Sequence, residues 1–236
     1  MVFFCTMNPV IQTNGLCVYR ERGAVLVNVD FHAQAGEFVS IVGVSGAGKS
    51  TLLHALAGHL PCTGRVVVPN RIGMVFQHHA VFPWMTVEQN ISFGLGEGAK
   101  ETVQSLLAVA GLESKADAYP VSLSGGERQR VAVARAVAHA PDVLLMDEPF
   151  GSLDAHTREH MQEWLREVCA DRGTTVVLVT HDIEEALVLS DRIIILADGR
   201  MKRTFDGFRS ALWADNMRYS DRLVRFRHEI AGCLAS

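Results

Sequence analysis

The sequence has no apolar run of about 18 residues, so nothing in it is expected to span a bilayer as a helix. It has no basic excess: 22 Lys and Arg stand against 26 Asp and Glu, a net charge of −4, which argues against general nucleic-acid binding. Cysteines are few and scattered at Cys5, Cys17, Cys62, Cys169 and Cys233, odd in number and never in C-x-x-C spacing. That excludes a disulfide framework and a cysteine zinc site, and fits reduced thiols. The N-terminal "MVFFCTMNPV" lacks a basic start and a long enough apolar core for a signal peptide. Internal repeats and low-complexity tracts are also missing. The expectation is a soluble cytoplasmic protein with one sizeable domain in its 236 residues.

What is present is an alternation of strand and helix patterns. Residues 9–33 read as antiparallel strands, with Val25, Val27, Val29, Phe31 and Ala33 placed on one face by strict alternation. "EFVSIVGV", "DVLLMDE", "TTVVLVTH" and "RIIILADGR" are short apolar runs of strand length, separated by helical patterns. Such a succession implies a parallel sheet covered on both faces. Residues 78–140 break the rhythm with three helical stretches and predict a mostly helical subdomain inserted in an α/β core formed by 9–77 and 141–206. A helical extension is expected over 207–236, with Tyr219, Leu223, Phe226 and Ile230 on one stripe and Arg218, Arg222, Arg225 and Arg227 as a solvated face around it.

"GVSGAGKS" at 43–50 matches G-x-x-x-x-G-K-[ST] between a strand and a helix. Gly43, Gly46 and Gly48 let the backbone curl so that its N–H groups, with those of Val44, Ser45 and Ala47, point at phosphate oxygens, and the helix N-terminus adds positive potential. Lys49 reaches the β- and γ-phosphates, and the Ser50 hydroxyl is placed for Mg²⁺. "VLLMDE" puts Asp147 and Glu148 at a strand's C-terminal end, where α/β sheets bind ligands. Asp147 suits the metal, and Glu148 suits orienting or deprotonating an attacking water. His181 ends the next apolar strand and is expected at the γ-phosphate. His156 and His160 are spaced i,i+4 as half a metal site, but no third ligand lies near them in sequence, so the reading is a surface pair.

A second glycine turn, "LSGGERQR" at 123–130, opens another helix, with Ser124 as N-cap and Glu127 three residues on, as in a capping box. It lacks the lysine and the metal-ligating hydroxyl of an independent nucleotide site.

Taken in order, "GVSGAGKS", "LSGGERQR", "VLLMDEP", "SLD" and a strand-terminal His resemble an ATP-binding-cassette ATPase over residues 10–205. The resemblance implies a P-loop NTPase fold with a RecA-like parallel-sheet core, an N-terminal antiparallel β subdomain and a helical insert. It also implies that two cassettes pair head to tail, most simply as a homodimer. Ser124, Gly125, Gly126 and the adjoining Glu127 of one copy would then complete the ATP site on Gly43–Thr51 of the other. By the same resemblance Gln77 senses Mg²⁺ and the water, Asp154 crosses the dimer interface, and Tyr19 stacks on adenine. Val44 stands where proline is common and Glu127 where glutamine is frequent, neither of which removes essential chemistry.

"HHAVFPWMTVEQNISFGL" and "MDEPFGSLDAHTREHMQEWL" resemble the importer branch serving nitrate, aliphatic sulfonates, taurine and thiamine-precursor pyrimidines. This implies a peripheral subunit on the cytoplasmic face of the membrane, bound to a transmembrane permease and acting indirectly with an extracytoplasmic solute-binding protein. Nucleic acid is not an expected partner. The competing expectation is a soluble, non-transport cassette ATPase working on proteins or nucleic acid. Val81, Phe82, Trp84 and Met85 gather around Pro83, which stops a helix there. They read either as core of the helical subdomain or as an aromatic anchor for a permease helix, with Phe82, Trp84 and Met85 nearest the contact.

Overall fold

A computed structural model describes residues 9–21, 23–77, 80–96, 98–206 and 221–235. They fall into two compact units, one taking residues up to Asn70 and from Thr175 onward, the other Arg71–Thr174.

In the first unit, β1 (Ile11–Arg20) and β2 (Gly23–Ala33) form an antiparallel hairpin, and β4 (Thr63–Val67) pairs with the other edge of β1. The expected single-phase alternation of β2 holds for Val29, Phe31 and Ala33, all buried, but fails before them. There Leu26 is buried, while Val25 and Val27 are only half-buried. A bulge is the cause: Leu16 pairs with Val29 and Val18 with Leu26, so β2 spends an extra residue and its side chains change face. Asn28, at φ 51°, is the bulged residue, and its N–H points at the Cys17 sulfur.

The other sheet of this unit centres on β3 (Phe38–Val42), buried along its whole length. It lies between β7 (Thr175–Thr180) and β8 (Arg192–Ala197), parallel to both, and β9 (Arg200–Asp206) adds antiparallel to β8. Burial on both faces is why these central strands are continuous Val, Ile and Leu runs. Helix α1 (Lys49–Leu56) packs on β7 and β2, and α6 (Ile183–Leu189) on β3 and β7. Helix α7 (Asp221–Ala235) lays Phe226 and Ile230 on a cluster of Ala186, Leu187, Ile193, Ile195 and Phe205, with an Arg227–Glu184 ion pair at 3.1 Å on its flank. Arg218, Tyr219 and Cys5 lie outside the described residues.

In the second unit, β5 (Ile72–Val75) pairs in parallel with β6 (Val143–Asp147). Helices α2 (Val87–Ser92), α3 (Lys100–Val109), α4 (Gly125–Ala138) and α5 (Ala155–Arg172) accompany them. This unit is wider than the insert expected over 78–140, because α4 packs directly on β5. A Cβ at Gly73 would sit 3.1 Å from the Ala136 carbonyl oxygen. Among the described residues no helix is long and apolar enough to cross a membrane.

Candidate functional site

The phosphate-loop sequence leaves the buried end of β3 and turns into α1. Gly48 is the α1 N-cap at φ 103°, and a Cβ there would meet Leu26 Cδ2 at 2.8 Å, so only glycine serves. Gly43 is required for a different reason, since its Cβ would fall 2.3 Å from the Leu196 carbonyl oxygen of β8. Lys49 is 7% exposed, and its ammonium donates to the carbonyls of Gly43 (2.8 Å) and Val44 (3.0 Å), drawing the loop into a ring. The Ala47 N–H closes on the Val44 carbonyl at 3.2 Å. From outside, the β8–β9 turn braces the loop: Gly199 N–H donates to the Ala47 carbonyl (3.2 Å), and its own carbonyl accepts from Val27 N–H (2.9 Å). Val44, Ser45 and Gly46 remain exposed along the rim, Ser50 is half-buried and Thr51 is buried.

Strand register brings His181 to this loop. Val42 pairs with Thr180, so Gly43 and His181 leave adjacent strand ends, with His181 exposed. Its turn is fixed by a short network. Thr180 Oγ1 donates to Glu185 Oε2 at 2.8 Å and accepts from Asp182 N–H at 3.0 Å, while Asp182 caps α6. Tyr19 stands at the far end of β1, 63% exposed, so its ring has a face available for stacking. Its strand partner Ala24 lines an open hollow of about 840 Å³ together with Arg20, Glu21, Val25, Gly46 and Asp198. Tyr19 itself is not one of the lining residues.

In the second unit a parallel register does the same for two further residues. Val75 pairs with Met146, so Gln77 and Glu148 follow neighbouring strand ends, and Gln77 Nε2 approaches Glu148 Oε2 at 3.4 Å. Asp147 closes β6 at 4% exposure. Glu148 has φ 47°, left-handed backbone that costs a non-glycine residue on the order of 1–3 kcal/mol. Buried Pro149 and Phe150 follow and hold it there.

Ser124 caps α4 by accepting from Glu127 N–H (3.2 Å), and Glu127 Oε2 accepts from Ser124 N–H (2.9 Å), a full capping box. Gly126 packs against the "SLD" segment, its would-be Cβ 3.2 Å from Leu153 Cδ2. Asp154 caps α5 by accepting from Thr157 N–H at 3.0 Å, a bond that holds its carboxyl below the usual carboxylate range. The His156 and His160 rings lie 4.5 Å apart, and among the described residues no third ligand joins them in a metal-binding group.

Around Pro83, Trp84 is 68% exposed, while Val81, Phe82 and Met85 are half-buried, so the four residues are not a core cluster. The Phe82 ring lies 5.6 Å from Trp84 and 4.7 Å from Phe93, with the Arg135 guanidinium 4.8 Å over it. Asn90, fully buried, ties this loop down: Oδ1 accepts from Phe82 N–H (2.8 Å), and Nδ2 donates to the carbonyls of Phe82, Met85 and Thr86 at 3.0–3.1 Å. Sequence reasoning missed Asn90, the Gly199 brace and Lys115, whose ammonium lies 2.6 Å from Glu127 Oε1. A buried asparagine inside a helical pattern was the one available signal.

The family model described as "ABC transporter" matches residues 26–151. The aliphatic sulfonates import ATP-binding protein 2 of Rhizobium johnstonii is 48% identical over 75% of this chain and 73% of its own length. The nitrate import ATP-binding protein of a Synechocystis strain is 46% identical over the same shares, 75% and 73%. Among solved structures, the dimeric structure of MJ0796, a bacterial ABC transporter cassette, superposes with a TM-score of 0.77 at 34% identity, covering 83% of this chain and 98% of that one. The α/β core with parallel strands and an antiparallel β subdomain is thus a shared fold, and the chain belongs to the ABC transporter family.

Proposed function

We propose that the chain is the ATP-binding and ATP-hydrolysing subunit of an importer, energising uptake of a small anionic or zwitterionic solute of the sulfonate, nitrate or taurine kind. The observation that carries the reading is the set of strand ends: β3 and β7 deliver the Lys49 loop and His181, and β5 and β6 deliver Gln77 and Glu148. Relatives at 46–48% identity are import ATP-binding proteins, which favours this over a soluble cassette acting on proteins or nucleic acid.

Residue roles follow from local chemistry. Lys49, now donating to loop carbonyls, exchanges them for β- and γ-phosphate oxygens. Val44, Ser45, Gly46, Ala47, Gly48 and Thr51 contribute the rest of the cradle, and Tyr19 offers its exposed ring to adenine. The Ser50 hydroxyl and Asp147 carboxylate, with the Gln77 amide oxygen, are hard oxygen donors of the kind Mg²⁺ takes, and they would hold it. When bound, that ion neutralises charge on the phosphates. Glu148, oriented by its fixed left-handed backbone and by Gln77, accepts the proton of the attacking water, and His181 contacts the γ-phosphate. Ser124, Gly125, Gly126, Glu127 and Asp154 serve the site of a second copy. The permease docks on the loop carrying Phe82, Trp84 and Met85, which keeps the subunit on the cytoplasmic face of the membrane, with a solute-binding protein on the far side.

Glu148→Gln tests the chemistry. ATP binding persists and turnover falls by about 10²–10⁴-fold, the usual worth of a general base. Hydrolysis at the unaltered rate overturns the role of Glu148. Co-purification with a multi-span membrane permease, and solute-stimulated ATPase in proteoliposomes, tests the transport role. Stimulation by DNA or ribosomes instead overturns it.

A further inference from the structure

A carboxylate is an odd component of a turn meant to receive a triphosphate, and Glu127 sits three residues after Ser124 in that turn. Its helix-capping bonds account for one oxygen only: Oε2 accepts from Ser124 N–H at 2.9 Å. The other oxygen, Oε1, takes the Lys115 ammonium at 2.6 Å. Lys115 comes from elsewhere in the chain, the last residue of a 3₁₀ turn at Glu113–Lys115. Other nearby cations are committed differently. Arg128 donates to the carbonyls of Leu123 and Pro120, and Arg130 donates to Ala110 at 2.6 Å while standing 4.0 Å from Glu127. The Glu127 side chain is 16% exposed and that of Lys115 41%, so the pair is partly shielded from solvent.

We infer that Lys115 is a positioning residue for the shared nucleotide site: it neutralises Glu127 and so lets an acidic residue occupy the anion-binding turn. The inference rests on the reading that Ser124–Gly126 engages ATP bound to a second copy. With both Glu127 oxygens occupied, the carboxylate keeps its capping geometry, and the Ser124 hydroxyl, which accepts from Glu127 N–H, keeps its own proton to donate to a phosphate. Without Lys115 the Glu127 carboxylate loses its closest counter-charge, keeping only Arg130 at 4.0 Å, and presents more negative potential to an incoming polyanion. The pair lowers the carboxyl of Glu127, first through the Lys115 bond and then through Ser124 N–H, so the charge is fully present at neutral pH.

The test is a double-mutant cycle on the full chain carrying Glu148→Gln, read by ATP-driven dimerisation in sedimentation velocity. Lys115→Met keeps the aliphatic stem and removes the charge. It raises the ATP concentration for half-maximal dimer by about tenfold at low salt, and by less as salt screens the site. Lys115→Arg restores most of the loss. When Glu127→Gln is already present, which keeps a capping box but no charge, Lys115→Met shifts the midpoint by less than twofold. Equal shifts with and without Glu127→Gln, at unchanged melting temperature, overturn the inference and leave the shared site standing. A chain that stays monomeric at millimolar ATP with Lys115 intact overturns the shared site itself, and the inference with it.

Discussion

Truncating Trp84 to alanine separates a docking surface from a structural one, because the side chain does so little for the fold. It is 68% exposed, and its ring lies 5.6 Å from that of Phe82. Losing one exposed aromatic pair costs about 0.5–1.5 kcal/mol at most, and an exposed substitution is usually within about 0.5 kcal/mol. A buried anchor in a protein interface costs about 2 kcal/mol or more on truncation, close to thirtyfold in affinity. Trp84→Ala therefore weakens permease association about thirtyfold, lowers the melting temperature by no more than a few degrees, and leaves basal hydrolysis by the free subunit unchanged. Asn90→Ala is the control with the opposite signature. It removes the bond that Oδ1 accepts and those its two Nδ2 hydrogens share among three carbonyls of the same loop, each full bond worth about 1 kcal/mol, so it destabilises by about 2–3 kcal/mol and weakens docking together with folding. Thermal melts, basal ATPase and permease pull-down on both variants make the comparison. Trp84→Ala that binds permease like the parent, or that unfolds in parallel with losing it, refutes the docking role.

Two other outcomes follow from the same geometry. If Ser124–Gly126 completes the site of a second copy, mixing Lys49→Ala with Ser124→Arg protomers restores hydrolysis that neither has alone, and activity of the parent rises faster than linearly with concentration. Strictly linear activity down to dilutions where sedimentation shows monomer sinks the shared site. Burial pushes the Cys169 thiol up to about 12, so at pH 8 it carries almost no thiolate, whereas Cys62 is exposed. Peptide mapping after maleimide treatment should find Cys62 modified quickly and Cys169 only after denaturation, and equal labelling of the folded protein would contradict this burial.

The central strands were legible because burial on both faces writes itself as an apolar run: β3, β6, β7 and β8 all show it. Edge strands do not. β4 has no buried residue and β9 has only Phe205, so neither carries a period that sequence reading can find. The bulge at Asn28 defeated strict alternation by inserting one residue, a change of phase that no propensity signals. Site residues inside contiguous motifs were readable one by one. Lys115, twelve positions from Glu127 and on a different turn, was not, because a contact between separate segments leaves no mark in either one alone. The Trp84 cluster was ambiguous for a related reason, since an apolar loop looks the same whether it faces core or partner.

The brace at Gly199 bears on where this chain tolerates being lengthened. Hairpin tips are ordinarily the safest places for a tag, a reporter or a circular permutation. This tip is spoken for. Gly199 is buried at φ 67°, a Cβ on it would sit 2.2 Å from the Val25 carbonyl oxygen, and its two backbone groups join β2 to the phosphate loop. Any insertion between Asp198 and Arg200 would push on Ala47 and deform the loop without changing any residue of the loop itself. Gly96 and Gly98, whose would-be Cβ atoms meet nothing within 4 Å, are positions where added sequence meets open space instead.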